Sequence, residues 1–328
     1  MMETLEEGQL CFPELVNTSC TKPQRTHAEA LLIYILLSFI SVVTMTLNLL
    51  VIISISHFRQ LHTPTNLLLL SLAVSDFFVG ILMSFQILIT NDCWFLGDLM
   101  CVSFYVLLFI STSASVGTIV LISVDRYVAI CYPLHYSTKI TVTRVTICIS
   151  FCWICSILYV VLLMFDNLRQ PNRYILCSGD CVIVINYDAG ITDIITTFFA
   201  PVTVIVFLYM RVFVVAVSQA RAMRSHITSI TLSGTVSVKK SELKAARTLG
   251  VVIVVFLACL CPYFISSLLG ENSSFSLTSV PLQSWLFHFN SFLNPVIYSF
   301  CYSWYRKSIK LIVTFKVLES DSCEISVF

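Results

Sequence analysis

The chain has 328 residues, of which 57% are hydrophobic and 11% are charged, and its formal net charge is +1. Soluble domains carry about one quarter charged residues, so this composition excludes an ordinary soluble domain. The near-neutral charge gives no indication of nucleic-acid binding. The chain is interpreted as a polytopic membrane protein.

Seven apolar runs approach the spanning length of about 20 residues, and they predict an all-α bundle of seven transmembrane helices. They lie at about 30–57, 65–89, 99–124, 143–164, 188–215, 246–269 and 281–302. Residues 1–29 form an extracellular segment, 30–302 the bundle and 303–328 a tail. The tail begins with basic and aromatic residues that predict a short amphipathic helix on the inner leaflet.

The basic residues set the orientation, because Lys and Arg stay with cytoplasmic loops. With the amino end outside, the external segments hold Lys22, Arg25, Arg169 and Arg173, and the other 15 of 19 basic residues lie inside. The first residues contain no apolar stretch typical of a cleavable signal. On this orientation Asn17 and Asn272 are external glycosylation acceptors.

Polar residues interrupt the first two spans. Asn48 lies in the first span and Asp76 in the second. An ionisable group at that depth costs several kcal/mol unless it faces partners or water, so Asp76 faces the interior. It is either a switch site sensitive to ions or protons, or a structural hydrogen-bond hub.

The third span runs without a charge from Cys101 until Asp125, Arg126 and Tyr127, and is predicted to be the central helix. A charged cluster at a helix end can also be an interfacial anchor. Fourteen cysteines occur, and those inside spans behave as small apolar residues. Six external cysteines allow 15 pairings, and spacing does not choose among them: Cys11, Cys20, Cys93, Cys101, Cys177 and Cys181.

The fifth span contains a carboxylate, Asp193. If that helix begins near Tyr187, a rise of about 1.5 Å per residue puts Asp193 about 9 Å below its external end. That is the depth of a ligand pocket. The third internal loop, from about residue 217 to 243, has no spanning pattern.

Several motifs together resemble the trace amine-associated receptors, a family of rhodopsin-like G-protein-coupled receptors. They are DRY at 125–127, HTPTN at 62–66, CWFLGD at 93–98, ELKAARTLG at 242–250, NSFLNPVIY at 290–298 and YSWYRK at 302–307. The likeness extends from Cys11 to Lys316. It implies amine sensing at the plasma membrane through a stimulatory G protein and cyclic AMP, typically in olfactory neurons.

The resemblance also assigns residues. It implies disulfides Cys101–Cys181 and Cys20–Cys177. Arg126 would hold Glu242 in the inactive receptor and release it on activation. Tyr209, Tyr298, Phe256 and Pro262 match the other positions of the activation switch. The family's internal sodium site is matched by Asn48, Asp76, Ser115, Asn290 and Ser291, and no other cofactor is expected.

Three positions depart from the family pattern. Most aminergic relatives have an aspartate where this chain has Leu108, a tryptophan where it has Leu260, and a tyrosine where it has His288. The usual partner of the ligand ammonium is therefore absent from the third helix. Some fish members of the family resemble this chain in carrying the acid on the fifth helix.

We therefore expect the ligand ammonium to pair with Asp193, since a desolvated cation requires an anion. Thr197 shares the helix face of Asp193 and offers a further hydrogen bond. The ligand body would run toward the third helix. The other predicted pocket residues are Leu108, Phe109, Thr112, Tyr263, Phe264, Trp285 and His288.

Four alternatives remain at this stage. Asp193 could pair instead with Arg169 or Arg173, or the receptor could serve non-amine odorants. A transporter could use Asp76 and Asp193 as a charged relay, although no internal repeat supports it. Asp188 and Glu271 could hold the second ammonium of a diamine. An enzyme is not expected, because the chain shows no clustered metal ligands, nucleotide loop or nucleophile motif.

Overall fold

The computed structural model of the chain describes the greater part of the sequence. It covers residues 10–15, 17–21, 26–91, 93–171, 177–226, 250–251, 253–262, 264–265, 279–319 and 322–327. Within those ranges the structure is mainly helical, and it contains two isolated β-bridges, Leu10–Thr21 and Ser19–Ser178.

Eight helices define the architecture of the described residues. They are α1 (His27–His57), α2 (Pro64–Asn91), α3 (Asp98–Cys131), α4 (Val142–Leu163), α5 (Tyr187–Ile194, Ile195–Phe199 and Ala200–His226), α6 (Ile253–Pro262), α7 (Ser279–Cys301) and α8 (Ser303–Val313). A short helix, Pro133–Lys139, follows α3. The helices α1 to α5 are long and apolar enough to cross a membrane.

The packing is that of a bundle with α3 near its middle. α3 contacts α2, α4 and α5, while α7 packs on α1 and α2. Between α3 and α4 the contact is close, because a Cβ at Gly117 would overlap the Cys152 sulfur. Small residues at such positions let helices approach in a membrane.

Apolar side chains cover the outside of the bundle as well as its core. Along α4, Ile147, Phe151, Ile154, Leu158 and Leu162 are all exposed. An apolar stripe of this length would favour aggregation in water but is the normal surface toward lipid. The exposed stripe therefore supports a multi-pass membrane protein.

The start of α1 has a local cause that lies three residues before the predicted span. The Thr26 side chain accepts from the backbone of Glu29, and the Glu29 carboxylate accepts from the backbone of Thr26, each at 3.3 Å. This reciprocal capping satisfies amides that the first turn leaves unpaired. The predicted amphipathic helix is present as α8, with Trp304 and Tyr305 buried and Arg306 and Lys307 exposed.

Candidate functional site

The predicted ligand carboxylate lies on α5, which begins at Tyr187 as expected. Asp193 is partly buried, and its Oδ1 accepts a hydrogen bond of 2.7 Å from the Tyr159 hydroxyl of α4. The Thr196 hydroxyl lies 3.1 Å from the same phenol oxygen. Thr197 donates to the backbone carbonyl of Asp193 at 2.6 Å, and its hydroxyl also contacts the Asp193 carboxylate.

Among the described residues, no basic side chain forms an ion pair with Asp193. The ion pairs among described residues are Arg59–Glu324 and Arg126–Asp125. Arg169, one of the alternative partners, is not among them, and Arg173 lies outside the described residues. Within the described residues, the carboxylate is thus oriented by a neutral phenol and not by a basic side chain.

A π-helical turn at Ile195–Phe199 follows Asp193 in α5. Its cause is local: Pro201 has no N–H to donate and its ring crowds the preceding turn, so the helix widens there. The turn buries Phe198, which stacks on Phe264 beyond α6 with ring centroids 4.6 Å apart. This contact joins the fifth and sixth helices one turn below Asp193.

The predicted pocket residues of α3 and α7 are distributed over two regions. Leu108 packs against the cluster that contains Cys101, Phe104 and Cys181, and Phe109 is partly buried. Thr112 and Leu260 line a small cavity deeper in the bundle. His288 on α7 is buried. Tyr263 and the side chain of Trp285 lie outside the described residues.

Asp76 on α2 is the centre of a buried polar network. Its carboxylate accepts from Asn294 at 2.8 Å and from Ser115 at 3.3 Å, and Ser291 is a third hydrogen-bond partner. Asn48 donates to the Ser291 carbonyl at 3.1 Å. Three helices therefore meet at one carboxylate that has no exposure, and α1 joins the network through the bond from Asn48 to Ser291.

The same region has unused oxygen ligands. A cavity of about 20 Å³ is bordered by Ser115, Asn290 and Ser291, which is large enough for one water-sized particle. Among the described residues, the buried side-chain oxygens of Asn290 and Asn294 accept no hydrogen bond. Carboxylate, amide and hydroxyl oxygens are ligands suited to a hard cation, so this donor set fits a sodium ion.

At the other end of α3, Asp125 and Arg126 form a buried ion pair. Thr65 of α2 donates to Asp125 at 3.0 Å, and Tyr136 of the short helix donates to it at 2.9 Å. Burial raises the pKa of the Tyr136 phenol above its usual range, so this phenol stays a proton donor. Glu242, the predicted switch partner of Arg126, lies outside the described residues.

Two tyrosines predicted to rearrange on activation have unused hydroxyl groups. Within the described residues, the buried hydroxyls of Tyr209 and Tyr298 have no hydrogen-bond partner. Phe256 is buried on α6, where Pro262 is the last residue. An unpaired buried hydroxyl costs about 1–3 kcal/mol, and this cost favours any arrangement that pairs it.

Three disulfides close the end of the bundle opposite Arg126. Cys101–Cys181 and Cys20–Cys177 are the pairs that the resemblance implies, and Cys11–Cys93 is a third. Main-chain hydrogen bonds reinforce them, including Cys20 to Ser178 at 3.0 Å and Trp94 to Gly179 at 2.9 Å. Gly179 has a φ of 105° and lies against Cys11, a place where a side chain would clash. Asn17 is an exposed residue of this cap, and Asn272 lies outside the described residues.

Sequence reasoning missed four participants in these sites, namely Tyr159, Thr65, Tyr136 and Asn294. Tyr159 is a phenol inside an apolar span, and that polar group was a usable signal because buried phenols need partners. Thr65 lies in the HTPTN motif, which served only as a mark of the family, and Tyr136 stands in a segment with no distinguishing pattern. The Cys11–Cys93 pair was one of the open pairings.

Comparison with known proteins gives one consistent result. Residues 47–298 match the 7 transmembrane receptor (rhodopsin family). Trace amine-associated receptor 13c of Danio rerio is 36% identical over 339 residues, covering 98% of this chain and 97% of that protein. Trace amine-associated receptor 8b of Mus musculus and trace amine-associated receptor 6 of Homo sapiens are each 37% identical, covering 98% of this chain and 96% of those proteins.

Proposed function

The chain belongs to the rhodopsin family of seven-transmembrane receptors and, within it, to the trace amine-associated receptors, and from this membership we propose that it senses amines through Asp193. The main support for the proposal is the environment of the Asp193 carboxylate. It is half-buried, it is held by a phenol, and it has no ion-pair partner in the described part of the chain.

Electrostatics supports an ammonium as the missing partner. A partly desolvated carboxylate and a protonated amine attract one another strongly and form a charge-assisted hydrogen bond. Tyr159 fixes one carboxylate oxygen, so the other is presented in a defined direction. Since Leu108 supplies no charge on α3, the ammonium end of the ligand binds at α5 and the apolar body extends toward α3.

The remaining walls suit the body of such a ligand. Leu108, Phe109 and Thr112 offer an apolar face with one hydroxyl, while Phe264 and His288 are contributed by the sixth and seventh helices. Tyr263, Trp285 and Thr197 complete the proposed pocket. Aromatic faces attract cations as well as apolar groups, so they favour an amine over a neutral ligand.

We also propose that the Asp76 network holds a sodium ion. Asp76, Ser115, Ser291 and the oxygens of Asn290 and Asn294 supply the ligands, and Asn48 positions Ser291 from behind. A cation there offsets the cost of burying the carboxylate. It would stabilise the arrangement of α2, α3 and α7 described above.

The signalling step proposed for this chain uses the opposite end of α3. In the inactive receptor Arg126 is held by Asp125 and by Glu242, and activation frees it while Tyr209 and Tyr298 acquire partners. The receptor then acts on a heterotrimeric G protein of the stimulatory type and raises cyclic AMP. On this proposal the disulfide cap faces the exterior, Asn17 and Asn272 carry glycans, and the receptor resides in the plasma membrane of olfactory sensory neurons.

A receptor for non-amine odorants is the second candidate, favoured by Leu260, which lines the small cavity at the position where relatives have an aromatic residue. A transporter using Asp76 and Asp193 is less well supported. The two carboxylates belong to separate hydrogen-bond networks in the described residues, so the structure gives no continuous relay between them.

The test is a panel of amines of graded length and charge applied to cells that express the chain with a stimulatory G protein. Asp193→Asn is compared with Asp188→Asn, which removes an exposed carboxylate from the same helix. We expect cyclic AMP responses to monoamines. Asp193→Asn should reduce their potency about a hundredfold or more, and Asp188→Asn should preserve it, at equal surface expression. Full potency in Asp193→Asn would refute the contact, and amine-driven current or uptake without G protein would favour the transporter.

A further inference from the structure

The tail of the chain folds back onto the base of α1. The tail segment, defined here as residues 316–319 and 322–327, follows α8 and includes two short turns, Lys316–Leu318 and Ser322–Glu324. Phe315 starts this reversal with a φ of 56°. A bulky residue adopts that conformation only where the surrounding structure determines it, so the reversal is part of a specific contact.

Polar contacts fix the register of the tail segment. Ser322 lies 3.0 Å from the His57 ring nitrogen Nε2, at the last residue of α1. Gln60, in the turn between α1 and α2, donates to the Glu324 carbonyl at 3.1 Å. Arg59 and Glu324 form an exposed ion pair at 3.9 Å, which adds little by itself.

An apolar anchor completes the contact. Val327 has no exposure and belongs to the same hydrophobic core as Phe58 and Leu61. By contrast, Ser326 is exposed. One side of the tail segment therefore faces the protein, and Ser322 and Val327 are on that side.

The hydrogen bonds of Ser322 determine which modifications of this serine are compatible with the docked tail segment. Its hydroxyl donates to the Val317 carbonyl at 2.7 Å. A hydroxyl has one proton, so His57 must donate to the Ser322 oxygen and carry its proton on Nε2. A phosphoryl group on this oxygen would remove the donor to Val317, add acceptor oxygens beside a carbonyl and take a double negative charge into a buried place.

We propose that Ser322 is a phosphorylation site gated by docking of the tail segment: docking hides the hydroxyl, and phosphorylation of the released segment prevents its return. The sequence around it, ESDSCE at residues 319–324, fits a serine kinase that recognises acidic substrates. The kinase transfers the γ-phosphoryl group of ATP to the Ser322 oxygen. The new O–P bond forms as the bond between the β- and γ-phosphates breaks, the hydroxyl proton passes to solvent and ADP leaves.

This inference rests on the proposed orientation in one respect, because ATP and the kinase act at the cytoplasmic face. The docking of the tail segment is measured by an experiment that does not depend on the orientation. Full-length receptor in lipid nanodiscs is studied by hydrogen–deuterium exchange, comparing the unmodified chain with Ser322→Glu, Val327→Asp and Ser326→Glu. The last variant introduces the same charge at an exposed serine of the same segment.

We expect amides of the tail segment to exchange on the order of tenfold faster in Ser322→Glu and Val327→Asp, since each removes a buried contact, and to be unchanged in Ser326→Glu. With ATP and casein kinase 1, which selects serines that follow an acidic residue by three positions as Ser322 follows Glu319, phosphate at Ser322 should appear on the order of tenfold faster in Val327→Asp than in the unmodified chain.

Three results would overturn the proposal. One is exchange in Ser322→Glu that equals that of the unmodified chain, and another is an equal change in Ser326→Glu. The third is a Ser322-phosphorylated chain whose tail segment stays protected, because His57 and Arg59 would then be holding the phosphate. Failure of the amine response leaves all three measurements intact, so the two proposals fail separately.

Discussion

The two intramembrane carboxylates of this receptor, Asp76 and Asp193, differ in their burial and in the donors that surround them. Asp76 is fully buried and is surrounded by donors from α3 and α7. Asp193 is only partly buried, and its carboxylate has two side-chain hydrogen-bond partners, Tyr159 of α4 and Thr197 of its own helix. A carboxylate surrounded by donors from neighbouring helices and fully buried is built into the scaffold, whereas one that is held by a single neighbouring helix and partly exposed is open to a ligand.

The two environments also suit different cations, a sodium ion at Asp76 and a ligand ammonium at Asp193. Around Asp76 the space is a cavity of about 20 Å³ with amide and hydroxyl oxygens, which suits a small inorganic ion. The carboxylate of Asp193 stands at the boundary between α4 and α5, about two turns from the start of α5. An organic ammonium fits the second environment because its apolar body can occupy the pocket beside it.

The largest expected effect comes from moving the charge of Asp193. Asp193→Asn should reduce amine potency about a hundredfold or more, because removing one partner of a desolvated pair costs about 3–5 kcal/mol. Adding Leu108→Asp to that variant should restore part of the potency, with the ligand ammonium now at α3. Concentration–response curves for cyclic AMP measure both changes.

The control for this experiment is Leu108→Asn in the same Asp193→Asn background, which adds polarity without charge. Rescue by both substitutions would show that polarity at residue 108, and not a counter-ion, limits the response. Surface labelling of each variant separates potency from expression.

The second prediction concerns Asp76. Replacing external sodium by potassium should raise amine potency about fivefold in the unmodified receptor, in line with the usual size of coupling between sites. Asp76→Asn should abolish this dependence. Amine concentration–response curves in isolated membranes at fixed ionic strength measure it, and an undiminished sodium effect in the variant would place the ion elsewhere.

Much of the fold could be predicted from the chain. The apolar run at 99–124 corresponds to α3, the run at 143–164 to α4, and α5 begins at Tyr187. These features are local consequences of hydropathy. Hydropathy predicts the start of α1 at residue 30 instead of His27, because it does not register the polar capping pair Thr26 and Glu29.

The partners of the site residues could not be predicted in the same way. Tyr159 and Asp193 are 34 residues apart, and Ser322 and His57 are 265 apart. Such contacts depend on how helices are rotated and where the chain reverses, which periodicity does not determine. For the Asp76 network, the resemblance predicts Asn48, Asp76, Ser115, Asn290 and Ser291 but not Asn294, and the structure adds that donor and the distances.

The third prediction removes the donor to Asp193. Tyr159→Phe should reduce amine potency about tenfold while leaving the maximal response intact, since a hydrogen bond to a charged group contributes about 1.5–3 kcal/mol. Thr196→Val, which alters the neighbouring hydroxyl, should change potency less than threefold. In Asp193→Asn the Tyr159→Phe substitution should have no further effect, and an additive loss would assign Tyr159 a separate role in binding.

The smallest effect is expected when the same kind of change is made at the other carboxylate. Ser115→Ala removes a hydroxyl that lies 3.3 Å from Asp76, but Asn294 and Ser291 still donate to the carboxylate. Because the remaining donors share the charge, the sodium effect should fall about twofold and amine potency should be unchanged. One deleted hydroxyl therefore has a larger consequence at Asp193 than at Asp76, and matched cyclic AMP curves for Ser115→Ala and Tyr159→Phe test that order. The reverse order would mean that amine potency depends on the Asp76 network and that Asp193 has a structural role.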